Sequence, residues 1–206
     1  MKEYHKIHTL FKRNPETHRL IPGDYSKPEF AYLAKDEWIW TEKIDGINIR
    51  VIWQDGKLRF GGRTDKAQIP TFLYDKLNDM FSTDSMNRVF PGQDVCLYGE
   101  GFGARIKKGG CNYIKDGVSF VLFDVMVGNW WLKRDDVFDI AMNLGIHVVP
   151  TVSWGTLDEM VKWVKDGFNS NYGTFTADGV VARPTVELYG RNGERVITKL
   201  KCRDFD

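Results

Sequence analysis

The feature that most constrains the fold is an Asp-Gly pair between two runs that alternate apolar and polar residues. Ile47 to Gln54 alternates, Asp55-Gly56 follows, and Lys57 to Phe60 returns. Asp-Gly is a preferred pair for the two-residue turn of a β-hairpin, because both positions need a positive φ. An antiparallel hairpin is therefore predicted here.

Strand-like segments dominate the rest of the chain. Further runs rich in β-branched and aromatic residues are 37–41, 94–98, 119–127, 147–152 and 178–182, and a second predicted hairpin pairs 186–189 with 195–200. Helical spacing of apolar residues covers 72–81 and 134–144, and the capping-box pattern Thr156 to Glu159 predicts a third helix ending near Gly167. Together these segments predict an α+β fold with antiparallel β-sheets and flanking helices.

Composition indicates one globular domain. The 206 residues are 42% hydrophobic and 14% aromatic, which suffices for a buried core and argues against disorder. We expect a single domain over residues 1–206. The net charge is only +1, so affinity for nucleic acid must come from local basic clusters.

The sequence also predicts a soluble, cytoplasmic protein. Its N-terminus lacks the apolar core of a signal peptide, and its most apolar stretch, 118–131, is too short to span a bilayer. Cys96, Cys111 and Cys202 are far apart and odd in number, which argues against a disulfide framework or a zinc site and suits a reducing compartment. No membrane partner is expected.

The segment 41–48, Thr-Glu-Lys-Ile-Asp-Gly-Ile-Asn, places Lys43 at the end of an apolar strand, two residues before Asp45-Gly46. A lysine becomes a nucleophile only when its ammonium loses a proton, which burial and nearby cations favour. A glycine lets a phosphate-bearing ligand approach the backbone. Alone, the motif describes a solvated lysine before a turn equally well.

Five more segments follow this motif in order: GRTDK at 62–66, LYGEGFG at 97–103, FVLFDV at 120–125, ADGVVAR at 177–183 and ITKLKC at 197–202. The ordered set resembles the covalent nucleotidyltransferases, which comprise the ATP-dependent DNA and RNA ligases and the mRNA-capping enzymes. The resemblance covers residues 43–201. It implies the nucleotidyltransferase fold, the ATP-grasp-like fold of ligase adenylation domains.

Asn48 separates the branches of this superfamily. DNA ligases and capping enzymes usually have Arg five residues after the nucleophile. This chain has Asn48 there, which resembles the pattern of the phage-type nick-sealing RNA ligases. Glu42 and the Tyr-Gly-Glu-x-Phe-Gly segment also resemble that group. Asp45 is instead typical of DNA ligases, and Arg50 could replace their arginine. The leading interpretation is an ATP-dependent RNA ligase. The alternatives are a small DNA ligase, a capping guanylyltransferase and a non-catalytic module that binds nucleic-acid ends.

The resemblance implies ATP and Mg²⁺ or Mn²⁺ as cofactors. Lys43 would form a covalent lysyl-AMP, pass the AMP to a 5′-phosphate end and allow a 3′-hydroxyl to displace it. The substrates would be nicked or broken RNA or DNA, and the protein would act as a monomer, of a kind typical of phages. Only five residues follow Lys201, so we expect no C-terminal OB-fold or helical domain.

Site residues follow from the same resemblance. The catalytic residues would be Lys43, Asp45, Lys199 and Lys201. The residues that bind ATP or AMP would be Glu42, Lys43, Asn48, Arg63, Glu100, Phe123, Asp178, Lys199 and Lys201. Asp178 would hold the metal, and the residues that bind nucleic acid would be Arg63, Arg105, Lys107 and Lys108. Lys199 and Lys201 alternate on a strand and so share a face, although lysines also occupy solvated strand edges.

Several of these roles have alternatives. Arg63 would contact either the AMP phosphate or the 5′-phosphate of a nick, or lie on the surface at a hairpin end. Phe123 would stack on adenine, but Phe120 is a second candidate and either could be core. Glu42 would contact adenine or form a cross-strand ion pair. The basic run 105–108 is either a nucleic-acid contact or a solvated loop.

Overall fold

The computed structural model describes residues 2–205, in which mainly antiparallel strands alternate with short helices. The strands in chain order are β1 (His8–Thr9), β2 (Phe11–Arg13), β3 (Leu20–Tyr25), β4 (Trp38–Glu42), β5 (Ile47–Gln54), β6 (Lys57–Gly62), β7 (Val95–Gly103), β8 (Val118–Val127), β9 (Trp130–Trp131), β10 (His147–Val148), β11 (Thr151–Gly155), β12 (Gly179–Pro184) and β13 (Thr198–Lys201). The helices are α1 (Pro28–Tyr32), α2 (Thr71–Met80), α3 (Thr83–Val89), α4 (Gly110–Tyr113), α5 (Arg134–Leu144) and α6 (Leu157–Asp166), followed by a 3₁₀ turn at Cys202–Phe205.

The first predicted hairpin is confirmed. Asp55 and Gly56 have φ angles of 50° and 66°, the positive values that a two-residue turn requires. The turn pairs β5 with β6 in unbroken register, from Gln54 opposite Lys57 to Ile49 opposite Gly62. The predicted α+β class, with antiparallel sheets and flanking helices, is confirmed as well.

The chain divides into two compact units. The first unit comprises residues 2–5 and 45–149, and the second comprises residues 6–44 and 150–205. One crossing of the chain between the units falls inside the Lys-x-Asp-Gly motif, between Ile44 and Asp45. Lys43 and Asp45 therefore belong to different units.

A six-stranded sheet forms the first unit, in the order β10-β8-β7-β5-β6 with β9 beside β8. One face of this sheet is apolar, because alternate residues of β5, β7 and β8 point to the same side. Helices α2, α3 and α5 cover that face with Leu73, Leu77, Met86, Val137 and Ala141, all essentially inaccessible to solvent. The opposite face carries the polar residues considered below.

A five-stranded sheet forms the second unit, in the order β1-β13-β12-β4-β11. Its core face contains Trp38 and Trp40 of β4 and packs against Leu157, Met160 and Val164 of α6. Helix α6 begins at the predicted capping box, in which Thr156 Oγ1 accepts from the Glu159 N–H and Glu159 Oε2 accepts from the Thr156 N–H. A small hairpin of β2 and β3 adds Phe11 and Leu20 to the same core.

Two predictions about strands are wrong. Residues 147–152 form two strands rather than one: β10 pairs with β8 in the first unit and β11 pairs with β4 in the second. Pro150 lies between them and has no N–H to donate to a ladder. The second predicted hairpin is reduced to one bridge between Tyr189 and Arg195, because both edges of β13 are occupied by β12 and β1.

Sequence patterns did not indicate the short helices α1, α3 and α4. Within residues 2–205, no helix combines the length and the apolar character that crossing a membrane requires.

Candidate active site

Lys43 of the second unit stands directly after β4, and its main-chain N–H donates to Gly179 O at 2.9 Å. Its Nζ lies 2.7 Å from Asp178 Oδ2, and Lys201 Nζ lies 3.2 Å from the same oxygen. One carboxylate thus bridges two ammonium groups. All three side chains are at most one-fifth exposed, so water weakens these interactions less than it would at the surface.

The charges of this cluster set the protonation of its members. Burial acts to raise the pKa of Asp178, but the ammonium groups of Lys43 and Lys201 outweigh burial and lower it. Burial, followed by the charge of Lys43, lowers the pKa of Lys201, against the opposing effect of Asp178. Asp178 is therefore firmly ionised at neutral pH, and Lys201 gives up its proton more readily than a solvated lysine.

Lys199 and Lys201 lie on the same face of β13. Thr198 and Leu200, which alternate with them, are fully buried in the core, whereas both lysines are half-buried. Lys199 is opposite Val181 of β12 and Thr9 of β1, so it lies in the interior of the sheet, not at its edge. The strand-edge explanation for this pair of lysines is therefore wrong.

Glu42 lies on the core side of β4 and is 1% exposed. Its Oε1 accepts from Ser170 Oγ at 2.5 Å, and its Oε2 accepts from Asn171 N and Asn171 Nδ2 at 2.9 and 3.0 Å. The cross-strand ion pair considered from the sequence is wrong, because the residue opposite Glu42 on β12 is Val180. Ser170 and Asn171 were not identified from the sequence, which contains no local signal for them.

Glu42 holds a hairpin-like loop that leads to Asp178. This loop is closed by a bridge between Asn169 and Thr176 and by the hydrogen bond from Ser170 N to Phe175 O. The buried side chain of Glu42 therefore ties the strand that ends before Lys43 to the loop that precedes Asp178.

Asn48 and Glu100 are cross-strand neighbours on β5 and β7 of the first unit. Both are half-buried and lie on the face opposite the apolar core. Asn48 Oδ1 is inaccessible to solvent and accepts no hydrogen bond from residues 2–205. A buried acceptor without a donor is costly, so a ligand hydroxyl or amine would be favoured beside it.

Phe123 occupies a β-bulge of β8. Tyr98 pairs with Asp124 and Gly99 with Leu122, which leaves Phe123 as the extra residue between them. Bulges change the direction of side chains and are common beside active sites. The ring of Tyr4 meets that of Phe123 edge-on with centroids 5.0 Å apart. Phe120 is instead fully buried in the apolar core, so Phe123 is the better candidate for stacking on a base.

Asp45 and Gly46 begin the part of the first unit that follows Lys43. The Tyr113 hydroxyl accepts from the Asp45 main-chain N–H at 3.2 Å. A Cβ on Gly46 would lie 2.2 Å from Gly101 O, so only glycine fits against β7. The Gly of Lys-x-Asp-Gly is therefore also required for packing.

Arg63 is exposed in the turn that follows β6. Arg50 does not serve as a second exposed arginine: it is 1% exposed, and its Nε and Nη2 donate to Gly62 O and Asp65 Oδ1. The suggestion that Arg50 replaces the DNA-ligase arginine is therefore not supported by its position.

The basic side chains of the run after β7 are available to a ligand. Arg105 lies over the ring of Phe72, with 4.6 Å from its guanidinium carbon to the centroid, which is a cation–π contact. Lys107 and Lys108 are exposed in the same loop. Arg105 is exposed as well, so all three side chains remain candidates for contacts with a phosphate backbone.

The cluster of Lys43, Asp178 and Lys201 offers a divalent metal one carboxylate, that of Asp178. Within residues 2–205, no group of three or more His, Cys, Asp or Glu side chains could hold a metal ion. Asp178 is a hard oxygen donor, and Mg²⁺ commonly takes one or two carboxylates and completes its shell with water and phosphate oxygens. The donor set therefore fits an ion that arrives with a nucleotide.

Comparisons with known proteins agree with this arrangement. The RNA ligase family model matches residues 36–201. The RNA ligase of Naegleria gruberi with pyrophosphate superposes with a TM-score of 0.67 at 16% identity, over 96% of this chain and 61% of the other. Mutants of that ligase with ATP and Mn, and with AMP and Mn, give TM-scores of 0.67 and 0.66 at 16% and 15% identity, over 84% of this chain in both cases.

The matched structures are longer: the chain covers 51–52% of those two mutants, and so spans about half their length. At this identity the structural likeness establishes the fold alone. A comparison with curated protein sequences gives no match. The family match covers most of the chain and spans the ordered motifs from Lys43 to Lys201. The chain therefore belongs to the RNA ligase family.

Proposed function

We propose that this chain is an ATP-dependent RNA ligase that becomes adenylated on Lys43. The observation that carries the proposal is the cluster in which Asp178 bridges Lys43 and Lys201, inside the segment that matches the family. A nucleophilic lysine beside a second cation and a carboxylate is the arrangement that attack on a phosphate requires.

In the first step, Lys43 Nζ attacks the α-phosphorus of ATP. The N–P bond forms, the bond to the pyrophosphate oxygen breaks, and pyrophosphate leaves. Nζ must first lose a proton, and Asp178 Oδ2 at 2.7 Å is the acceptor within reach. Lys201 and Lys199 would place positive charge beside the phosphate, where negative charge develops. A divalent ion bound by Asp178 would neutralise further phosphate charge when present.

In the later steps the AMP passes from Lys43 to a 5′-phosphate, and a 3′-hydroxyl then displaces it. The first-unit residues would bind the nucleotide: Glu100 and Asn48 through the ribose, Phe123 through the base, and Arg63 through a phosphate. Asp45 would assist the divalent ion or the reacting 3′-hydroxyl. Arg105, Lys107 and Lys108 would contact the nucleic-acid backbone.

The contacts of Glu42 support an indirect role for this residue. Its carboxylate already accepts three hydrogen bonds from Ser170 and Asn171. We therefore propose that Glu42 positions Lys43 and Asp178, instead of contacting adenine as the resemblance implies.

The substrates we propose are nicked or broken RNA ends bearing 5′-phosphate and 3′-hydroxyl groups, with DNA ends as a second class. We further propose a monomer in a reducing cytoplasm and a single nucleotidyltransferase domain over residues 1–206. Within residues 2–205, Cys96, Cys111 and Cys202 form no disulfide, which supports a reducing compartment.

Intact-protein mass after incubation with ATP and Mg²⁺ tests the first step. Wild type should gain one AMP, Lys43→Ala should gain none, and Lys57→Ala, at an exposed lysine beside the β5–β6 turn, should behave like wild type. A gain of GMP from GTP instead would favour a capping enzyme. A folded wild type that gains neither nucleotide would contradict the proposal.

Strand preference needs a separate assay. Adenylated wild type is offered matched nicked duplexes in which the strand carrying the 3′-hydroxyl is RNA or DNA. Faster sealing of the RNA end is expected, whereas equal or faster sealing of an all-DNA nick would favour the DNA-ligase alternative.

A further inference from the structure

Arg50 is the most deeply buried cation of the first unit that the mechanism above does not use. It lies on β5 between Gly61 of β6 and Tyr98 of β7 and is 1% exposed. Its Nη1 is buried and donates to no atom of residues 2–205. Burying a guanidinium and leaving one of its donors unpaired costs stability, and an apolar side chain of similar size would often cost less.

The other two nitrogens of Arg50 both reach the turn that carries Arg63. Nε donates to Gly62 O at 2.8 Å, and Nη2 donates to Asp65 Oδ1 at 2.7 Å. These acceptors flank Arg63 in the chain on either side. One rigid, planar group therefore holds the main chain before Arg63 and the side chain of the second residue after it.

Gly61 makes this reach possible. A Cβ at position 61 would lie 3.1 Å from Arg50 Nη2, closer than most carbon contacts, so a larger residue would push the guanidinium away from the turn. The turn that follows Arg63, over residues 64–67, is closed by the hydrogen bond from Ala67 N to Thr64 O, and Glu3 Oε1 accepts from Asp65 N at 2.8 Å. The backbone around Arg63 is thus restrained at several points.

The two partners of the Arg50–Asp65 ion pair differ in their exposure to solvent. The guanidinium of Arg50 is buried, whereas the Asp65 side chain is 79% exposed. The hydrogen bond and charge of Arg50 lower the pKa of Asp65, so the carboxylate remains ionised at neutral pH. An exposed carboxylate contributes little to global stability. Its hydrogen bond to Arg50 instead restrains the segment that carries Arg63, two residues earlier.

We propose that Arg50 is a positioning residue that, with Asp65, holds the Gly62–Asp65 turn so that Arg63 is directed at the phosphate of the reacting end. The inference rests on the proposed function, because it assigns Arg63 to a phosphate. Arg50 acts through Arg63 and does not touch the substrate. A misplacement of about 1 Å in a phosphate-binding group can cost on the order of 100-fold in rate.

A double-mutant cycle tests this coupling. Self-adenylation with ATP and sealing of a nicked RNA duplex with a pre-adenylated 5′ end are measured for wild type, Arg63→Ala, Arg50→Lys and the double variant. Lysine keeps the charge of Arg50 but lacks the planar guanidinium, whose separate nitrogens reach the two acceptors. We expect Arg50→Lys to slow the same step as Arg63→Ala, by on the order of 10- to 100-fold. The double variant should be no slower than Arg63→Ala alone.

A second variant tests the same coupling in case Arg50→Lys does not fold. Asp65→Ala changes an exposed residue and should fold, yet it should slow the same step and likewise add nothing to Arg63→Ala. The control is Arg59→Ala, which removes an exposed arginine of the same hairpin whose Nη2 donates to Gln54. This control should leave both steps unchanged.

Losses that multiply in the double variants would overturn the proposal, because Arg50 would then act independently of Arg63. An Arg63→Ala variant with wild-type rates at every step would overturn it too. Failure of the proposed function would give a different result. In that case the folded wild type would neither become adenylated nor seal the nicked RNA duplex.

Discussion

Asp178 Oδ2 is shared by two lysines, at 2.7 Å from Lys43 Nζ and 3.2 Å from Lys201 Nζ. Replacing Asp178 by Asn would leave two ammonium groups together without a counter-charge. We expect Asp178→Asn to lower the free energy of unfolding by about 1–3 kcal/mol and to slow self-adenylation. Urea unfolding and intact mass measure the two effects. Asp178→Glu keeps the charge and should retain most activity; equal losses in both variants would exclude charge as the cause.

The buried carboxylate of Glu42 should be necessary for the loop that precedes Asp178. Glu42→Gln puts an NH₂ group where the site supplies only donors, namely Ser170 Oγ and the two nitrogens of Asn171. We expect a loss of about 1–3 kcal/mol in unfolding free energy together with slower adenylation at saturating ATP. Ser170→Ala removes one donor and should cost less. An unchanged adenylation rate in folded Glu42→Gln would contradict the positioning role.

Base stacking on Phe123 should appear in ATP affinity. Phe123→Ala should raise the KM for ATP in self-adenylation by roughly 5- to 100-fold, since stacking of a base on an aromatic ring contributes about 1–3 kcal/mol. Phe120→Leu, in the apolar core, should lower the Tm while leaving the KM close to wild type. The opposite distribution of effects would make Phe120 the stacking residue.

Gly46 should not tolerate a side chain. Alanine there would place Cβ 2.2 Å from Gly101 O, and main-chain atoms of a central strand cannot move away cheaply. Gly46→Ala should therefore destabilise the protein by about 1–3 kcal/mol or more. The matched control is Gly109→Ala, where φ is −92° and the nearest contact is 3.8 Å away. Thermal unfolding compares the Tm values of the two variants. Similar values would show that position 46 accommodates a Cβ atom.

The capping box of α6 predicts a loss of stability in acid. The hydrogen bonds from the Thr156 N–H and hydroxyl lower the pKa of Glu159 below its ordinary value of 4.5. The unfolded chain therefore binds the proton first as pH falls, and the stabilisation from Glu159 is present above pH 4.5 and lost as pH drops through the lower folded-state pKa. Wild type and Glu159→Gln should differ in unfolding free energy at pH 7 and converge as the pH falls below the lowered pKa of Glu159. A constant difference would contradict this assignment.

Local features were predictable from the sequence. The Asp55-Gly56 hairpin, helix α5 with its observed bounds Arg134–Leu144, and the capping box at Thr156 all depend on residues within a few positions of each other. The ordered motifs from Lys43 to Lys201 likewise indicated the family, because their types and order are visible without coordinates. Strand alternation also predicted that Lys199 and Lys201 share a face.

Tertiary structure decided which partner each buried charge has. Glu42 finds Ser170 at a distance of 128 residues along the chain, and Arg50 finds its acceptors only because the β5–β6 hairpin brings Gly62 and Asp65 back beside it. The bulge at Phe123 depends on pairing with β7. Periodicity and turn chemistry report local conformation, whereas these contacts require distant segments to be packed together, because a buried charge is stabilised only by the groups that the fold places against it.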